Sequence, residues 1–295
     1  MVSSNMILEN LDFEKFHGLG NDYILINNLK WKIPEQKFNE LAKLLCKPHF
    51  FIGADGLILV CPAENKDLRM RIFNPDGSEA EMCGNGIRCF AKYVYENDIC
   101  KKPKIEIETL KRIISAVLNI INGIVESVKI DMGVPILECD DIPVITEGLS
   151  NKCVNESILA IDKVFKFTAV SMGNPHAIIF TEKLPNNEEL NRYGANISSN
   201  SVFPKKTNVE FVKSLSQEEA TLRVFERGVG ITNSCGTGTC AAVVAGSIIG
   251  VFKKNHPITV HNDGGDLIIT YNGKTVFMEG PATRVFRGII DQIEI

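Results

Sequence analysis

The chain carries one short device twice. Asn233-Ser234-Cys235-Gly236-Thr237-Gly238-Thr239-Cys240 sets a cysteine in a glycine-rich turn, and the apolar run Ala241 to Phe252 follows at once. Met82-Cys83-Gly84-Asn85-Gly86-Ile87-Arg88-Cys89 has the same Cys-Gly-x-Gly core and leads into Phe90-Ala91-Lys92-Tyr93-Val94. Glycine lets the backbone bend tightly and lets a ligand come close. Each turn is expected to open a helix, with Ser234 and Thr237 as N-cap candidates in the second. The first N–H groups of a helix lack intrahelical partners, and the positive end of its dipole lies beside them. Such a place favours an anion, either a bound carboxylate or the thiolate of the cysteine itself.

The copies agree beyond their cores. Arg71-Ile72-Phe73-Asn74 precedes Cys83 as Arg223-Val224-Phe225-Glu226 precedes Cys235, and the offsets match (83 − 71 = 12; 235 − 223 = 12). Gly20-Asn21 leads into Tyr23-Ile24-Leu25-Ile26 as Gly173-Asn174 leads into Ala177-Ile178-Ile179-Phe180. The copies are spaced 235 − 83 = 152 at the cysteines and 174 − 21 = 153 at the asparagines. Three matches in register predict a duplicated domain with one cysteine on a helix N-terminus in each half. A length of 295 residues suits two domains. Gly133-Val134-Pro135 is the expected boundary.

The rest of the sequence reads as short strands around each helix, an α+β pattern. Strands are expected at Phe13–Phe16, Tyr23–Asn27, Leu57–Val60, Leu68–Phe73, Ile105–Thr109, Ile113–Asn119 and Val125–Met132. His17 to Asn21 is the expected turn between the first two, and Asn122-Gly123 a hairpin turn between the last two. A helix is expected over Pro34 to Leu45. The second half repeats the plan with strands at Phe165–Met172, Ala177–Thr181, Asn208–Val212, Ala220–Phe225, Ile258–His261, Leu267–Tyr271, Thr275–Glu279 and Thr283–Ile290. Leu137 to Lys163 shows no clear pattern.

A net charge of −4 gives no footing for nucleic acid. No apolar run reaches the ~18 residues of a membrane span. The N-terminal ten residues lack the basic start and apolar core of a signal peptide. Nine cysteines without such a signal point to reduced thiols in the cytoplasm. Cys83/Cys89 and Cys235/Cys240 are spaced too widely for a zinc knuckle, so no metal is expected. Cys89 and Cys240 read as small apolar residues within their helices. Cys46, Cys61, Cys100, Cys139 and Cys153 read as core or surface thiols. For Cys83 and Cys235 the bland alternative is a buried cysteine in a tight turn.

Two matched thiols on helix N-termini suit proton transfer to and from carbon. One thiolate removes a proton, the other thiol returns one to the opposite face, and a stereocentre inverts. The carbanion needs fixed dipoles aimed at its carboxylate, and two helix N-termini in one cleft would supply them. His176 could serve a single nucleophilic cysteine, but that leaves the second cysteine unexplained. Glu226-Arg227 reads either as an ammonium and carboxylate clamp or as a solvated pair. Asn21, Asn74, Asn174 and Asn208 sit in turns, where asparagine is common, yet their collective placement beside glycines and strand ends points to a polar ligand cradle.

The chain resembles the diaminopimelate epimerases. The matching motifs are Phe16 to Asp22, Gly53-Ala54-Asp55-Gly56, Phe73 to Ser78, Met82 to Cys89, Gly173-Asn174-Pro175-His176, Thr207-Asn208-Val209, Glu226-Arg227-Gly228, Cys235 to Cys240 and Gly280-Pro281-Ala282. The cysteine motifs alone also fit proline racemases and hydroxyproline epimerases. Asn85-Gly86-Ile87-Arg88 together with Glu226-Arg227-Gly228 narrows the choice. The chain departs from the family at Leu110-Lys111-Arg112 and Glu279.

The resemblance implies an α+β fold of two pseudo-symmetric halves, each a mostly antiparallel strand layer or barrel around a central apolar helix. The halves are residues 1–133, with 283–295 returning to them, and residues 134–282. It implies a cofactor-independent isomerase that converts LL-2,6-diaminopimelate to the meso form in lysine biosynthesis. Cys83 is the implied proton donor and Cys235 the acceptor. Asn21, Asn74, Gly84, Asn85, Asn174, Asn208, Glu226, Arg227, Gly236 and Thr237 are the implied substrate contacts, with His176 in support. The expected partners are a small-molecule substrate and a second copy of the chain, with no cofactor, nucleic acid or membrane.

Overall fold

A computed structural model describes residues 6–80, 83–145 and 151–295. Met82 of the first cysteine motif lies outside the described residues. The chain divides into two compact units, Met1–Ile130 with Gly280–Ile295, and Asp131–Glu279.

The first unit contains β1 (Ile7–Gly18), β2 (Asn21–Asn27), α1 (Asn28–Trp31), α2 (Phe38–Leu45), β3 (Gly56–Cys61), β4 (Leu68–Phe73), α3 (Gly84–Glu96), β5 (Lys104–Glu108), β6 (Ile113–Ile121) and β7 (Ile124–Gly133). The second contains β8 (Glu156–Ala160), β9 (Lys163–Ser171), β10 (Pro175–Phe180), α4 (Asn187–Ser198), β11 (Asn208–Ser214), β12 (Glu219–Glu226), β13 (Gly230–Thr232), α5 (Gly236–Ile248), β14 (Pro257–Asn262), β15 (Gly265–Tyr271) and β16 (Val276–Gly280). The last strand, β17 (Thr283–Glu294), pairs antiparallel with β1 in the first unit.

The strand pairings make the duplication explicit. From β1 to β7 they run antiparallel, parallel, antiparallel, parallel, antiparallel, antiparallel. From β9 to β16, with β13 as an added ribbon on β12, the order is the same. A parallel pair needs a crossover. The first crossover holds α2 in one unit and α4 in the other, and the second holds α3 or α5. The outer neighbour of β1 is β17, and that of β9 is β8.

Alternation within strands sorts side chains between the two helices of a unit. In the first unit Ile24, Ile26, Leu57 and Leu59 join Phe38, Leu41 and Leu45 in one core cluster on the α2 side. Tyr23 and Ile58 therefore face α3, where they meet Gly86. In the second unit Ala177, Ile179, Val209 and Phe211 pack with Leu190 and Ile197 of α4. His176 and Glu210 face the other way, toward α5. Covered on both sides, β3 is buried at every residue from Gly56 to Cys61. Buried residues run without a break from Gly238 to Ser247 of α5, as a helix apolar on all sides requires.

Several expected boundaries move. The first strand starts at Ile7, well before Phe13, because β17 pairs along its whole length. The turn after it shrinks to Leu19-Gly20, both at positive φ (57° and 88°). The helix expected from Pro34 begins as a 3-10 turn at Glu35–Lys37 and becomes α-helical only at Phe38. The apolar run after Cys235 leaves the helix at Ile248; Gly250, at φ 80°, turns the chain, and Phe252 packs edge-on to Phe180. Asn122-Gly123 forms the expected hairpin turn, both at positive φ (52° and 81°). The unpatterned stretch from Leu137 to Lys163 holds β8, and residues 146–150 within it lie outside the described residues.

Candidate active site

Each cysteine is the N-cap of its helix, in extended backbone. The carbonyl of Cys83 accepts from Ile87 N at 2.9 Å, and that of Cys235 from Thr239 N at 2.8 Å. Neither helix start has a side-chain cap. This corrects the assignment of Ser234 and Thr237 as caps. The extended N-cap position falls on the cysteine, so Thr237 lies inside the first turn, with its hydroxyl 3.4 Å from Cys235 Sγ. Ser234 Oγ is buried without a hydrogen-bond partner among the described residues. Uncapped N–H groups of the first turn are donors for an anion.

In the first unit Cys83 is half-buried. Its Sγ lies 2.9 Å from the hydroxyl of Tyr23 and 3.7 Å from Asn21 Oδ1. The Tyr23 hydroxyl also donates to Asn21 Oδ1, to which Asn85 Nδ2 donates at 3.5 Å. Asn21 Nδ2 donates to Asp55 Oδ2 at 2.8 Å, and the backbone N–H of Asp22 donates to the same oxygen at 2.9 Å. Asp22 in turn pairs with Lys15 at 2.8 Å. Arg88, fully buried, donates to Asn85 Oδ1 at 2.8 Å and to the carbonyl of Pro281 at 3.1 Å. Asn21, Gly84 and Asn85 are thus gathered around Cys83. Asn74 is exposed in its turn, where its amide donates to Ser78 Oγ at 3.0 Å.

In the second unit Cys235 is buried, and ionisable side chains lie near it. His176 Nδ1 lies 2.7 Å from Glu210 Oε1, and Nε2 lies 3.0 Å from Asn174 Oδ1; both side chains are fully buried. With Asn174 presenting its carbonyl oxygen, Nε2–H donates to it. The imidazole and the carboxyl are thus hydrogen-bonded to each other, as buried polar side chains need to be. Burial pushes the Glu210 carboxyl up, and His176 partly offsets that. The potential ligand atoms of His176, Glu210 and Cys235 lie within 4.8 Å of one another. They are the group that could hold a metal among the described residues.

Burial raises the Cys235 thiol well above its ordinary range, and the carboxylates of Glu226 and Glu210 raise it further. The Thr237 hydroxyl and the Gly238 N–H act the other way. These surroundings favour the thiol over the thiolate in the free protein. Glu226 accepts from Thr232 Oγ1 at 2.5 Å. Asn208 Oδ1 accepts from the Arg227 N–H at 2.9 Å, and the Arg227 guanidinium donates to Lys205 O at 2.9 Å. Asn174, Asn208, Glu226, Arg227, Gly236, Thr237 and His176 thus all belong to the second unit's site or the loops beside it.

Sequence reasoning missed Tyr23 and Glu210. A signal for both existed. Tyr23 follows Asn21, and Glu210 follows Asn208, by two residues on a strand, so each shares the face of a residue already singled out. Gly238 was singled out for its turn, and its close approach has a second use: a Cβ there would stand 2.2 Å from Glu210 Oε1. The departure Leu110-Lys111-Arg112 lies in the turn between β5 and β6, closed by Thr109 N to Arg112 O at 3.0 Å. Glu279 lies in β16, opposite Ile268.

The family model described as "Diaminopimelate epimerase" matches residues 13–137 and 168–285. The diaminopimelate epimerase of Halothermothrix orenii is 48% identical over 282 residues, covering 95% of this chain and 98% of that protein. That of Pelotomaculum thermopropionicum is 47% identical over 279 residues, covering 94% and 98%. Among solved structures, a hydroxyproline epimerase from Agrobacterium vitis matches with a TM-score of 0.70 at 15% identity, covering 97% of this chain and 93% of that one. A phenazine biosynthesis protein of the PhzF family from Bacillus anthracis matches at 0.69 and 17% identity, covering 96% and 99%. These two structures establish the fold, and the sequence matches establish the kinship: the chain belongs to the diaminopimelate epimerase family.

Proposed function

We propose that Cys83 and Cys235 make the two proton transfers by which this chain epimerises LL-2,6-diaminopimelate to the meso form, in lysine biosynthesis. The observation that carries this reading is the pair of uncapped helix starts, each with a cysteine as its N-cap. In the LL-to-meso direction Cys235 takes the α-proton, and the electron pair stays on the α-carbon, delocalised into the carboxylate. Cys83 then gives its proton to the opposite face. The turnover leaves Cys235 as thiol and Cys83 as thiolate. N–H groups at the helix starts stabilise the carboxylate as its charge grows.

Cys235 must lose its proton before it can act. A substrate α-ammonium beside it supplies the opposite charge that favours a thiolate. Glu226 pairs with an ammonium of the substrate and Arg227 with a carboxylate, and Asn21, Asn74, Asn174 and Asn208 donate and accept around either end. His176, held by Glu210, supports the Cys235 side. We place the enzyme in the cytoplasm. No helix among the described residues is long and apolar enough to cross a membrane. We propose a homodimer; exposed Val285, Phe286 and Ile289 on β17 support it, and light scattering measures it.

The test is incubation with LL-diaminopimelate in deuterated buffer without added cofactor. Deuterium should enter the α-carbon as the meso form accumulates. Cys83→Ala and Cys235→Ala should each abolish epimerisation with circular dichroism unchanged; near-normal turnover in either would end the two-thiol reading. L-lysine and L-proline should exchange poorly, because buried polar groups left unpaired cost about 10⁴-fold in discrimination. Proline exchanging as fast as diaminopimelate would move the chain to the proline racemase branch.

A further inference from the structure

The two half-sites are built on one plan but differ in chemistry. The offset relating Asn21 to Asn174 (174 − 21 = 153) also relates Tyr23 to His176 (176 − 23 = 153). The offset relating the cysteines relates Gly86 to Gly238 (238 − 86 = 152), and those glycines face Ile58 and Glu210 respectively. Where Cys235 lies within 4.8 Å of an imidazole and a carboxyl that are hydrogen-bonded to each other, Cys83 has a phenol, and an isoleucine stands where the carboxyl would be.

We propose that Tyr23 sets the acidity of Cys83: its hydroxyl donates to the Cys83 thiolate, and its hydrogen turns from Asn21 to Cys83 when the cysteine gives up its proton. This rests on the role given to Cys83 above. Two acceptors lie within reach of the one hydroxyl, Asn21 Oδ1 and Cys83 Sγ, the latter at 2.9 Å. With Cys83 protonated, Tyr23 donates to Asn21. With Cys83 ionised, the charged sulfur is the stronger acceptor. No proton leaves Tyr23. Burial, and after it Cys83, hold the phenol well above its ordinary pKa, so it acts as a donor and never as a base.

Among the described residues, the surrounding charges do not replace it. Asp55, ahead of β3, opposes a second negative charge and is engaged by Asn21 and Asp22. Lys15 of β1 is paired with Asp22. Arg88 of α3 holds Asn85 and Pro281. Cys89 of α3 is buried with its thiol pushed up to about 12, and stays neutral. The Tyr23 ring is seated by two glycines: a Cβ on Gly56 would come within 3.3 Å of it and one on Gly86 within 3.6 Å. Tyr23→Phe therefore removes the hydroxyl and keeps the packing.

Turnover alone cannot test this. Both directions of epimerisation use enzyme forms with the same number of protons, so they share one bell-shaped pH profile. Cys83 has to be titrated by itself. The measurement is the rate of alkylation of Cys83 by iodoacetamide against pH, read by mass spectrometry, in full-length Cys235→Ala and in Cys235→Ala/Tyr23→Phe. Losing a hydrogen bond to a charged group should raise the apparent pKa of Cys83 by about one unit, roughly tenfold slower alkylation at neutral pH. 3-Fluorotyrosine at position 23, a stronger donor, should move it down. An unchanged or lowered pKa in the Phe variant, or no downward move with fluorotyrosine, overturns the proposal. Turnover of Cys83→Ala separates the two failures: if that variant is active, the two-thiol reading falls; if it is inactive while Tyr23→Phe leaves the pKa in place, only the role of Tyr23 falls.

Discussion

At Gly238 there is room for a hydrogen and nothing more. Its missing side chain admits the Glu210 carboxyl against the first turn of α5, and a Cβ would stand 2.2 Å from Oε1. Gly238→Ala should force Glu210 away from His176. We expect a loss of about 1–3 kcal/mol in urea unfolding, as for other overpacked interiors, and a larger fractional loss of turnover. Gly86→Ala, whose Cβ would meet Ile58 Cδ1 at 3.2 Å, should be milder, since an isoleucine methyl can shift. Glu226 allows a test with opposite signs in two readouts. Its carboxylate raises the Cys235 thiol, so Glu226→Gln should make Cys235 alkylate faster at neutral pH. The same change should slow epimerisation, because the proposed ammonium partner is gone. If alkylation slowed as well, the charge of Glu226 would not act on Cys235. The cysteines were legible because glycines flank them twice in register. Glu210 shares the strand face of Asn208, but in Val209-Glu210-Phe211-Val212 an acid between apolar residues reads as the outward face of a strand. Only the histidine opposite, out of sight in sequence, makes an inward acid tolerable.

Among the elements, α4 shows what a period-based reading loses. Its buried side is Leu190, Gly194, Ile197 and Ser198, a stripe with two large apolar residues. Gly194 contributes by absence, since a Cβ there would stand 2.6 Å from Phe225 Cβ. The readable signal was at its start. Asn186 Oδ1 accepts from Glu189 N at 2.9 Å, and Glu189 Oε2 accepts from Asn186 N at 3.0 Å, a capping box. Asn186→Ala should cost about 1 kcal/mol in urea unfolding and leave turnover alone. Half of β1 was lost for another reason. Asn10 sits at φ 54°, so the buried Leu8 and Leu11 are three residues apart and the alternation breaks. The repeated arginine, read only as a marker of duplication, has a physical task in both copies. Arg71 pairs with Glu35 ahead of α2 at 2.8 Å, and Arg223 donates to Pro185 O ahead of α4 at 2.8 Å. Across β12, β14 and β15, His261 bridges Glu219 at 2.9 Å and Asp266 at 2.7 Å. Those hydrogen bonds, that of Glu219 first, raise its pKa. A raised histidine stabilises fully below its unfolded pKa of about 6.5 and loses that contribution as pH rises through the folded value. The stability difference between wild type and His261→Gln should therefore be greatest in mild acid and vanish in alkali. With the ring a third exposed, it should stay below about 1 kcal/mol. A difference that grew with pH would contradict the assignment.

For the molecule as a whole, the duplication was visible in three matched offsets, and the strand pairings bear it out pair for pair. The return of residues 283–295 to the first half was expected from the resemblance; what the sequence could not state is that the two copies protect their first strands from being edges by different means. The second unit uses β8, its immediate predecessor, on β9. The first unit uses β17, from the far end of the chain, paired from Ile7 opposite Glu294 to His17 opposite Thr283 with one shift of register between Lys15 and Phe16. Leu8, Leu11, Ile293 and Ile295 are buried together in one core, and Pro281 O just before β17 accepts from the fully buried Arg88. Removing residues 283–295 should therefore do more than shorten a tail. It strips β1 of one whole row of hydrogen bonds and uncovers its apolar side chains, leaving a long exposed edge of the kind that aggregates. Hydrogen exchange reads the outcome directly. Amides of β1 and β2 should lose protection in the truncated chain, while those of β9 to β12, whose core lies within the other unit, should keep most of theirs. Epimerisation should vanish, since β2 carries Asn21 and Tyr23. A separate peptide spanning residues 283–295 should restore part of the protection of β1. Full protection of β1 in the truncated chain without that peptide would show that β17 is dispensable to the first unit.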